Sequence, residues 1–294
     1  GTKAIATLST GYLNALDYAK NRVQGADLTE MMDKAAPRVT ITHHPDVRRM
    51  LMDMKSRTEA MRTLAYYAAA HIDKAHAGDA AAQARVDLLT PVVKGWSTEQ
   101  GVELSSVGVQ VFGGVGFIEE TGACQYYRDS RITTIYEGTT GIQANDLIGR
   151  KLAREAVPGA AMKTLLAEMN ASAAELAGDN VTASIAVNLK NGINSLSTAA
   201  DWLLANYGPN PQAAAAGAVP FLKLTGIVVG GWLMARSAAI AARRLAEGST
   251  DDFYKAKLAT ATYFADHQLP QAGGLAAAIT AGSASVFALP ENLF

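Results

Sequence analysis

Residues 126–143 read YYRDSRITTIYEGTTGIQ, a stretch in which polar and aromatic residues lead into a predicted helix. Glu137 stands between a tyrosine and a glycine, just ahead of that helix. Thr140 and Gln143 have the spacing of a capping box, which predicts a helix from Thr140 through Arg154. An acidic residue here either stabilises the helix end, by up to about 1 kcal/mol, or serves a ligand that approaches the open backbone. The local residues alone favour the first role.

Apolar residues recur at three- and four-residue steps along most of the chain, which predicts an all-α protein with bundle-like packing. The first helix is expected to end near Arg22 and to be followed by a loop. The second helix is expected to begin at Pro45, and Asp79 to cap a third that Pro91 bends. No stretch shows the alternation of a convincing strand. Ser249 is a predicted helix cap. Further helices are predicted near residues 160–177, 181–206, 212–247 and 250–267.

The composition excludes several classes of protein. The 294 residues are 49% hydrophobic, and the formal net charge of −1 leaves no basic surface for nucleic acid. A single cysteine, Cys124, cannot form an internal disulfide, and no metal-ligand cluster is visible. We therefore predict no metal site and a cytoplasmic protein. The apolar segment 224–234 is too short to span a membrane and is predicted to be a buried helix.

A joint at Val157–Gly159 divides the chain, and the composition becomes alanine-rich beyond it. We predict two domains, residues 1–155 and residues 156–294. The chain starts at Gly1 and runs directly into helical periodicity. This start indicates a piece of a longer protein.

Three other places are candidates for ligand binding. QVFGGVGF, residues 110–117, predicts a helix end whose glycines also let a ligand come close to the backbone. Arg22 either complements a helix dipole or holds a phosphate group. His43 and His44 form a polar junction at the start of the second helix. At each place the structural and the ligand-binding interpretations stay open.

The motifs, taken together in their order along the chain, resemble those of a known family. No single motif is sufficient for this. NRVQG, HHPDV, QVFGGVGF and YYRDSRITTIYEGTTGIQ follow one another as in the C-terminal helical domain of the flavin-dependent acyl-CoA dehydrogenases, which residues 1–155 resemble. An additional helical extension domain follows. With its KAKLATATYFADHQLP helix, it is similar to the long acyl-CoA dehydrogenases, a group that includes the 3-methylmercaptopropionyl-CoA dehydrogenases.

The resemblance implies an oxidoreductase and a reaction. In the family, a base removes the α-proton of an acyl-CoA thioester, and the β-hydrogen leaves as hydride to flavin N5, which gives a 2-enoyl-CoA. The family's base falls on Glu137, and we expect the bound substrate to desolvate it and make it a stronger base. Tyr136 would line the acyl pocket. Gly138 would keep the backbone of the base open to the thioester oxygen.

The resemblance also places FAD contacts on this chain. Those residues are Arg22, Gln24, His44, Val47, Gln110, Val111, Gly113, Gly114 and Thr139. In the family, most of them reach a flavin held mainly by another subunit, so a homodimer or homotetramer and an external electron acceptor are implied. The family's N-terminal and middle domains are missing from this chain. The fragment alone is expected to be inactive.

Two alternatives stay open. An acyl-CoA oxidase shares these motifs and differs in letting oxygen reach the reduced flavin. A non-catalytic helical oligomerisation module would retain Glu137 only as a charge at a helix end.

Overall fold

The computed structural model describes residues 1–294 and confirms the all-α fold class. Two short strands, β1 (Val23–Ala26) and β2 (Arg38–Thr40), pair antiparallel between the first two helices. The helices are α1 Thr2–Asn21, α2 Pro45–His76, α3 Ala80–Phe112, α4 Gly114–Phe117, α5 Ala123–Arg131, α6 Thr140–Ile148, α7 Ala160–Ala177, α8 Ala183–Tyr207, α9 Pro211–Ala216, α10 Ala218–Ala246, α11 Asp252–His267 and α12 Gln271–Thr280.

The first three helices begin and end where local signals predict. Helix α1 ends at Asn21, and Pro45 occupies the first turn of α2. The Asp79 carboxylate caps α3 by accepting two backbone N–H groups at 2.9 and 3.0 Å. Helix α3 continues through Pro91, which is buried inside it.

The loop predicted after α1 is wrong in part, because β1 and β2 pair there. Val23 lies opposite Thr40 and Ala26 lies opposite Arg38, with an irregular register between them. The strands have four and three residues, too few to show the alternation that marks a strand in sequence. Their pairing brings the end of α1 close to the start of α2.

Two helix boundaries in the second half also differ from the prediction. Gly217 separates α9 from α10, where one helix over residues 212–247 was expected. Asp251, not Ser249, caps α11, since its carboxylate accepts the Phe253 N–H at 2.9 Å. Ser249 and Asp251 are both residue types that cap helices, and only the backbone geometry decides between them.

One hydrophobic core runs through the molecule and includes buried residues from both halves of the chain. Trp96 of α3 is only 1% exposed, and its indole lies against Gly226 and Gly230 of α10. A Cβ atom on Gly226 would lie 2.2 Å from Trp96 Cγ, so no larger residue fits there without displacing the ring. The boundary near residue 155 stays a prediction, and the packing is continuous across it.

Helix α10 is the central helix of the second half. Its 29 residues are long and apolar enough to cross a membrane by length and composition, but 83% of its most apolar window is buried inside the protein. Helices α2, α3, α6, α8, α11 and α12 pack around it. The segment predicted as a buried helix, residues 224–234, lies within α10, and that prediction is confirmed.

A buried charge network joins α2 to α3. Arg57 is 4% exposed and donates to Asp53 at 2.8 Å and to the two Glu103 oxygens at 3.0 and 2.6 Å. Its Nε donates to Gln100 at 2.6 Å. Gln268 donates to the other Asp53 oxygen at 2.7 Å. Because Asp53 is buried, its carboxylate depends on Arg57 for a compensating charge.

A second carboxylate joins α2 to α11. Glu59 accepts hydrogen bonds from Lys257 at 2.7 Å and from the Thr260 hydroxyl at 2.6 Å, and it pairs with Lys55 at 2.9 Å. Burial alone raises the pKa of Glu59, but the hydrogen bonds from these three residues outweigh it and hold the pKa below its ordinary value. The charge of Glu59 therefore stabilises the folded chain.

We expect Arg57→Met to lower the free energy of unfolding by about 3–5 kcal/mol, because it leaves the Asp53 carboxylate buried without its partner. The matched control is Arg49→Met, which removes a pair with Asp46 whose side chains are 54% and 73% exposed. That control should cost less than about 1 kcal/mol. Chemical denaturation of both variants measures the difference, and equal losses would contradict the role given to Arg57.

The pKa of Glu59 also predicts how stability depends on pH. Since its folded pKa lies below the ordinary value of 4.5, its contribution is present above that value and is lost as the pH falls through the folded pKa. Glu59→Gln should therefore be less stable than the wild type at about pH 7, and the gap should narrow below about pH 4. Denaturation at both pH values tests this, and a constant gap would refute it.

Candidate active site

The turn between α5 and α6 carries the predicted base. Helix α5 ends at Arg131, a 3₁₀ turn follows over Ile132–Thr134, and α6 begins at Thr140. The predicted cap is wrong by one residue, because Thr139 is the N-cap and its hydroxyl accepts the Ile142 N–H at 3.3 Å. The hydroxyl of Thr140 instead donates to a carboxylate of α3.

Gln143 does not complete a capping box. Its side-chain nitrogen donates to the backbone carbonyl of Glu137 at 3.0 Å, so it supports the turn before the helix. Helix α6 is also shorter than predicted. It ends at Ile148, and a π-helical turn, Gly149–Ala153, continues the chain to Arg154.

Glu137 has an unusual backbone conformation. Its φ of 57° makes it the only non-glycine residue of the chain with a positive φ, and Gly138 follows with a φ of 81°. The left-handed region costs a residue with a Cβ atom about 1–2 kcal/mol, so surrounding contacts must hold it there. The Glu137 side chain is exposed, and Tyr136 beside it is half-buried. A strained and accessible carboxylate of this kind is typical of a functional site.

Gly138 stands where a side chain would collide. A Cβ atom there would lie 3.0 Å from the Gln143 side-chain nitrogen and 3.3 Å from Ile142 Cγ2. Any larger residue would disturb the hydrogen bond between Gln143 and Glu137. Packing therefore explains why position 138 is a glycine. The approach of a ligand to its backbone stays a prediction.

Lys94 is a residue of this site that the sequence did not predict. Helix α3 brings it to the turn, where it is 8% exposed and its ammonium group donates to the Gly138 carbonyl. Burial lowers the pKa of Lys94, while the charges of Glu137 and Glu99 oppose that effect. A sequence signal was present, because residues 88–96, LLTPVVKGW, carry one charge in an apolar stretch.

A second group of predicted residues lines an open cleft of about 440 Å³. Its walls come from the end of α1, from β1 and from the segment where α3 passes into α4. Arg22 is the only charged residue among those that line it. The predicted FAD contacts brought together here are Arg22, Gln24, Val111, Gly113 and Gly114.

The β1–β2 pair brings a further candidate, His44, close to this cleft. The Nε2 atom of His44 lies 2.6 Å from the carbonyl oxygen of Gln24, within hydrogen-bond distance. Val47 is half-buried against the core, and Gln110 is exposed. Val47, Gln110 and Thr139 do not line the cleft. Thr139 instead belongs to the turn that carries the predicted base.

Aromatic and glycine residues give the cleft its shape. The rings of Phe112 and Tyr18 stack with centroids 4.4 Å apart. Gly113 ends α3 with a φ of 64°, and the chain then turns back so closely that a Cβ atom on Gly116 would lie 2.5 Å from the Val109 carbonyl oxygen. A guanidinium group beside an open glycine backbone suits a ligand that carries a phosphate group.

Two family models match the chain. Residues 3–153 match the model described as "Acyl-CoA dehydrogenase, C-terminal domain", which covers half of the chain. Residues 165–290 match the model described as "Acetyl-CoA dehydrogenase C-terminal like". The chain therefore belongs to the acyl-CoA dehydrogenase family, which depends on FAD, and the resemblance that the motifs indicated is confirmed.

The similar relatives are dehydrogenases of acyl-CoA thioesters. A 3-methylmercaptopropionyl-CoA dehydrogenase of Ruegeria pomeroyi is 44% identical over 275 residues. A broad-specificity linear acyl-CoA dehydrogenase of Mycobacterium tuberculosis is 43% identical over 285 residues. Each alignment covers 92% of this chain and 46% of the relative. The chain thus spans about half the length of these curated relatives.

Solved structures share the helical fold. An acyl-CoA dehydrogenase from Bacillus anthracis, complexed with FAD, matches with a TM-score of 0.71 at 20% identity, covering 94% of this chain and 46% of that one. The acyl-CoA oxidase 1 of Arabidopsis thaliana matches with a TM-score of 0.63 at 13% identity, covering 95% of this chain and 45% of that one. At such identities the likeness shows the fold alone, and the fold is common to dehydrogenases and oxidases.

The left-handed backbone of Glu137 predicts an unusual order of stability. Glycine adopts this conformation without a steric penalty, so Glu137→Gly should be more stable than Glu137→Ala by about 1 kcal/mol. In an ordinary helical position, glycine would be the less stable of the two. Thermal and chemical denaturation of this chain compare the variants directly. An alanine variant as stable as the glycine variant would show that the turn is not strained.

Proposed function

We propose that the protein containing this chain catalyses the α,β-dehydrogenation of an acyl-CoA thioester to a 2-enoyl-CoA. Glu137 is the proposed base that removes the α-proton. The observation that carries the proposal is the exposed carboxylate of Glu137, held in a left-handed turn directly before a helix. Membership of the family supports an oxidoreductase, and the base and the substrate are inferences beyond that membership.

The backbone of the turn supports the role of Glu137. Its carbonyl accepts from Gln143, and the carbonyl of Gly138 accepts from Lys94, so both acceptors are occupied. The N–H of Glu137 donates to no group within the chain. An N–H that is fixed and free is what an oxyanion needs as charge develops on the thioester oxygen. We therefore assign this N–H to the thioester oxygen and the half-buried Tyr136 to the acyl pocket.

We assign the cleft at the end of α1 to part of FAD, the cofactor on which the family depends. FAD supplies the acceptor for the β-hydrogen, which leaves the substrate as hydride. Arg22 offers paired N–H donors to a diphosphate. No atom lies within 4 Å of a Cβ atom placed on Gly113 or Gly114, so a ligand can approach the backbone there. The other proposed FAD contacts are Gln24, His44, Val47, Gln110, Val111 and Thr139.

The substrate class and the partners extend this proposal to the whole protein. The two relatives that align over 92% of this chain at 44% and 43% identity are named as acyl-CoA dehydrogenases, one for 3-methylmercaptopropionyl-CoA and one for linear chains. We infer an acyl-CoA thioester as the substrate class. Activity requires the amino-terminal half that the relatives possess, together with a homo-oligomer and an external electron acceptor.

We expect Glu137→Gln to lower kcat of a form with the amino-terminal half by at least about 100-fold, since the amide cannot accept the α-proton. FAD binding should persist, because glutamine keeps the size of the side chain and Glu137 is not one of the proposed FAD contacts. The flavin absorbance of the purified protein and the rate of acyl-CoA-dependent dye reduction measure the two effects. Arg22→Ala serves as the contrasting variant and should lower the FAD content. Unchanged turnover in Glu137→Gln would remove Glu137 as the base.

A further inference from the structure

The left-handed turn at Glu137 needs contacts that hold it, and two side chains supply them. Gln143 donates to the Glu137 carbonyl at 3.0 Å, and Lys94 donates to the next carbonyl, that of Gly138. The two donors come from different helices, α6 and α3. Two consecutive carbonyls are thus fixed from two sides.

The hydrogen bond from Lys94 to the Gly138 carbonyl requires a buried charge, which lowers stability. The Lys94 side chain is buried, yet its hydrogen-bond partner is a neutral backbone oxygen, and a buried cation without a paired anion is unfavourable. A neutral donor would make the same hydrogen bond at a lower cost. A buried donor that persists at this cost indicates that the Gly138 carbonyl has to be held in place.

Helix α3 holds the chain at two points around the N-cap of α6. Lys94 donates to the Gly138 carbonyl, and Glu99 of the same helix accepts a hydrogen bond from the Thr140 hydroxyl. The residues on both sides of Thr139 are thus tied to α3.

We propose that Lys94 is a positioning residue for Glu137. Its hydrogen bond fixes the Gly138 carbonyl and with it the left-handed turn that carries Glu137. The effect on catalysis rests on the proposed function, because it requires Glu137 to be the base. The effect on the turn does not depend on that function.

The position of Lys94 is itself fixed by the second half of the chain. Gly95, the next residue, is packed so closely that a Cβ atom there would lie 2.5 Å from Leu222 Cδ2 of α10. Trp96 follows and lies against Gly226 of the same helix. Helix α10 thus supports the segment of α3 that presents Lys94 to the turn.

The first experiment uses this chain alone and needs no activity. Hydrogen–deuterium exchange, read by mass spectrometry, follows the backbone amides of residues 136–143. Lys94→Met keeps the volume of the side chain and removes its donor, and it should speed exchange in this segment at least about tenfold. Lys223→Met, which removes an exposed lysine of α10, should leave the segment unchanged. Unaltered exchange in Lys94→Met would refute the positioning role.

The second experiment uses a form with the amino-terminal half. Lys94→Met should lower kcat by about tenfold or more, with smaller changes in KM and FAD content, because a misplaced base slows proton transfer. Lys94→Arg keeps a long side chain with hydrogen-bond donors and should restore much of kcat. A kcat in Lys94→Met equal to that of the wild type would overturn the effect on catalysis.

The two experiments separate the proposals. If Glu137→Gln remains fully active, the proposed function fails, while the exchange data still decide whether Lys94 holds the turn. If Glu137→Gln is inactive and Lys94→Met is normal in exchange and in kcat, the proposed function stands and the role of Lys94 is refuted.

Discussion

The contact between Trp96 and the glycines of α10 is the constraint on which the rest of the molecule depends. A fully buried indole is the largest single apolar surface that α3 contributes, and it needs a groove without side chains. Gly226 and Gly230 provide that groove, and the close approach fixes the axis of α10 against α3. Because α2 and α6 also pack on α3, the same contact sets the frame in which the candidate site is built.

The site shows how a stable frame can hold unfavourable features. Glu137 has a left-handed backbone, and the Lys94 ammonium group is buried without a carboxylate hydrogen-bonded to it. Each feature alone costs free energy, and each persists because rigid helices on both sides leave no alternative. The second half of the chain contains none of the residues proposed to contact FAD or substrate, yet it stabilises the helix that supports them.

The helices could be predicted from sequence wherever a local signal decides. Pro45 and Asp79 act on the backbone within one turn of their own positions, so their effects are visible in the sequence. The β1–β2 pair was not predictable in this way, because Val23 becomes part of a strand only when Thr40 lies opposite to it. The prediction of the α11 cap was wrong for a related reason, since Ser249 and Asp251 are both residue types that cap helices, and only the folded backbone brings the Phe253 N–H to Asp251.

The candidate site, like the fold, could be predicted only where the signal is local in the sequence. The motifs named Glu137 as a candidate base, and they named residues from two distant segments that gather in one cleft, because each motif keeps its own residues close in sequence. Lys94 stands out in the sequence only as a charge in an apolar stretch. Its partner, the Gly138 carbonyl, lies 44 residues away, and no local pattern shows that the two meet. The left-handed conformation of Glu137 was equally hidden, since the surrounding contacts impose it and the residue type does not.

Helix α10 has a consequence for how the chain is made. It is as apolar as a membrane span, so it is prone to aggregation until other helices cover it. Four of the helices that cover it, α2, α3, α6 and α8, precede it in the chain and leave the ribosome first. Helices α11 and α12 then follow directly. The order of synthesis therefore offers this helix a surface on which to dock as it emerges.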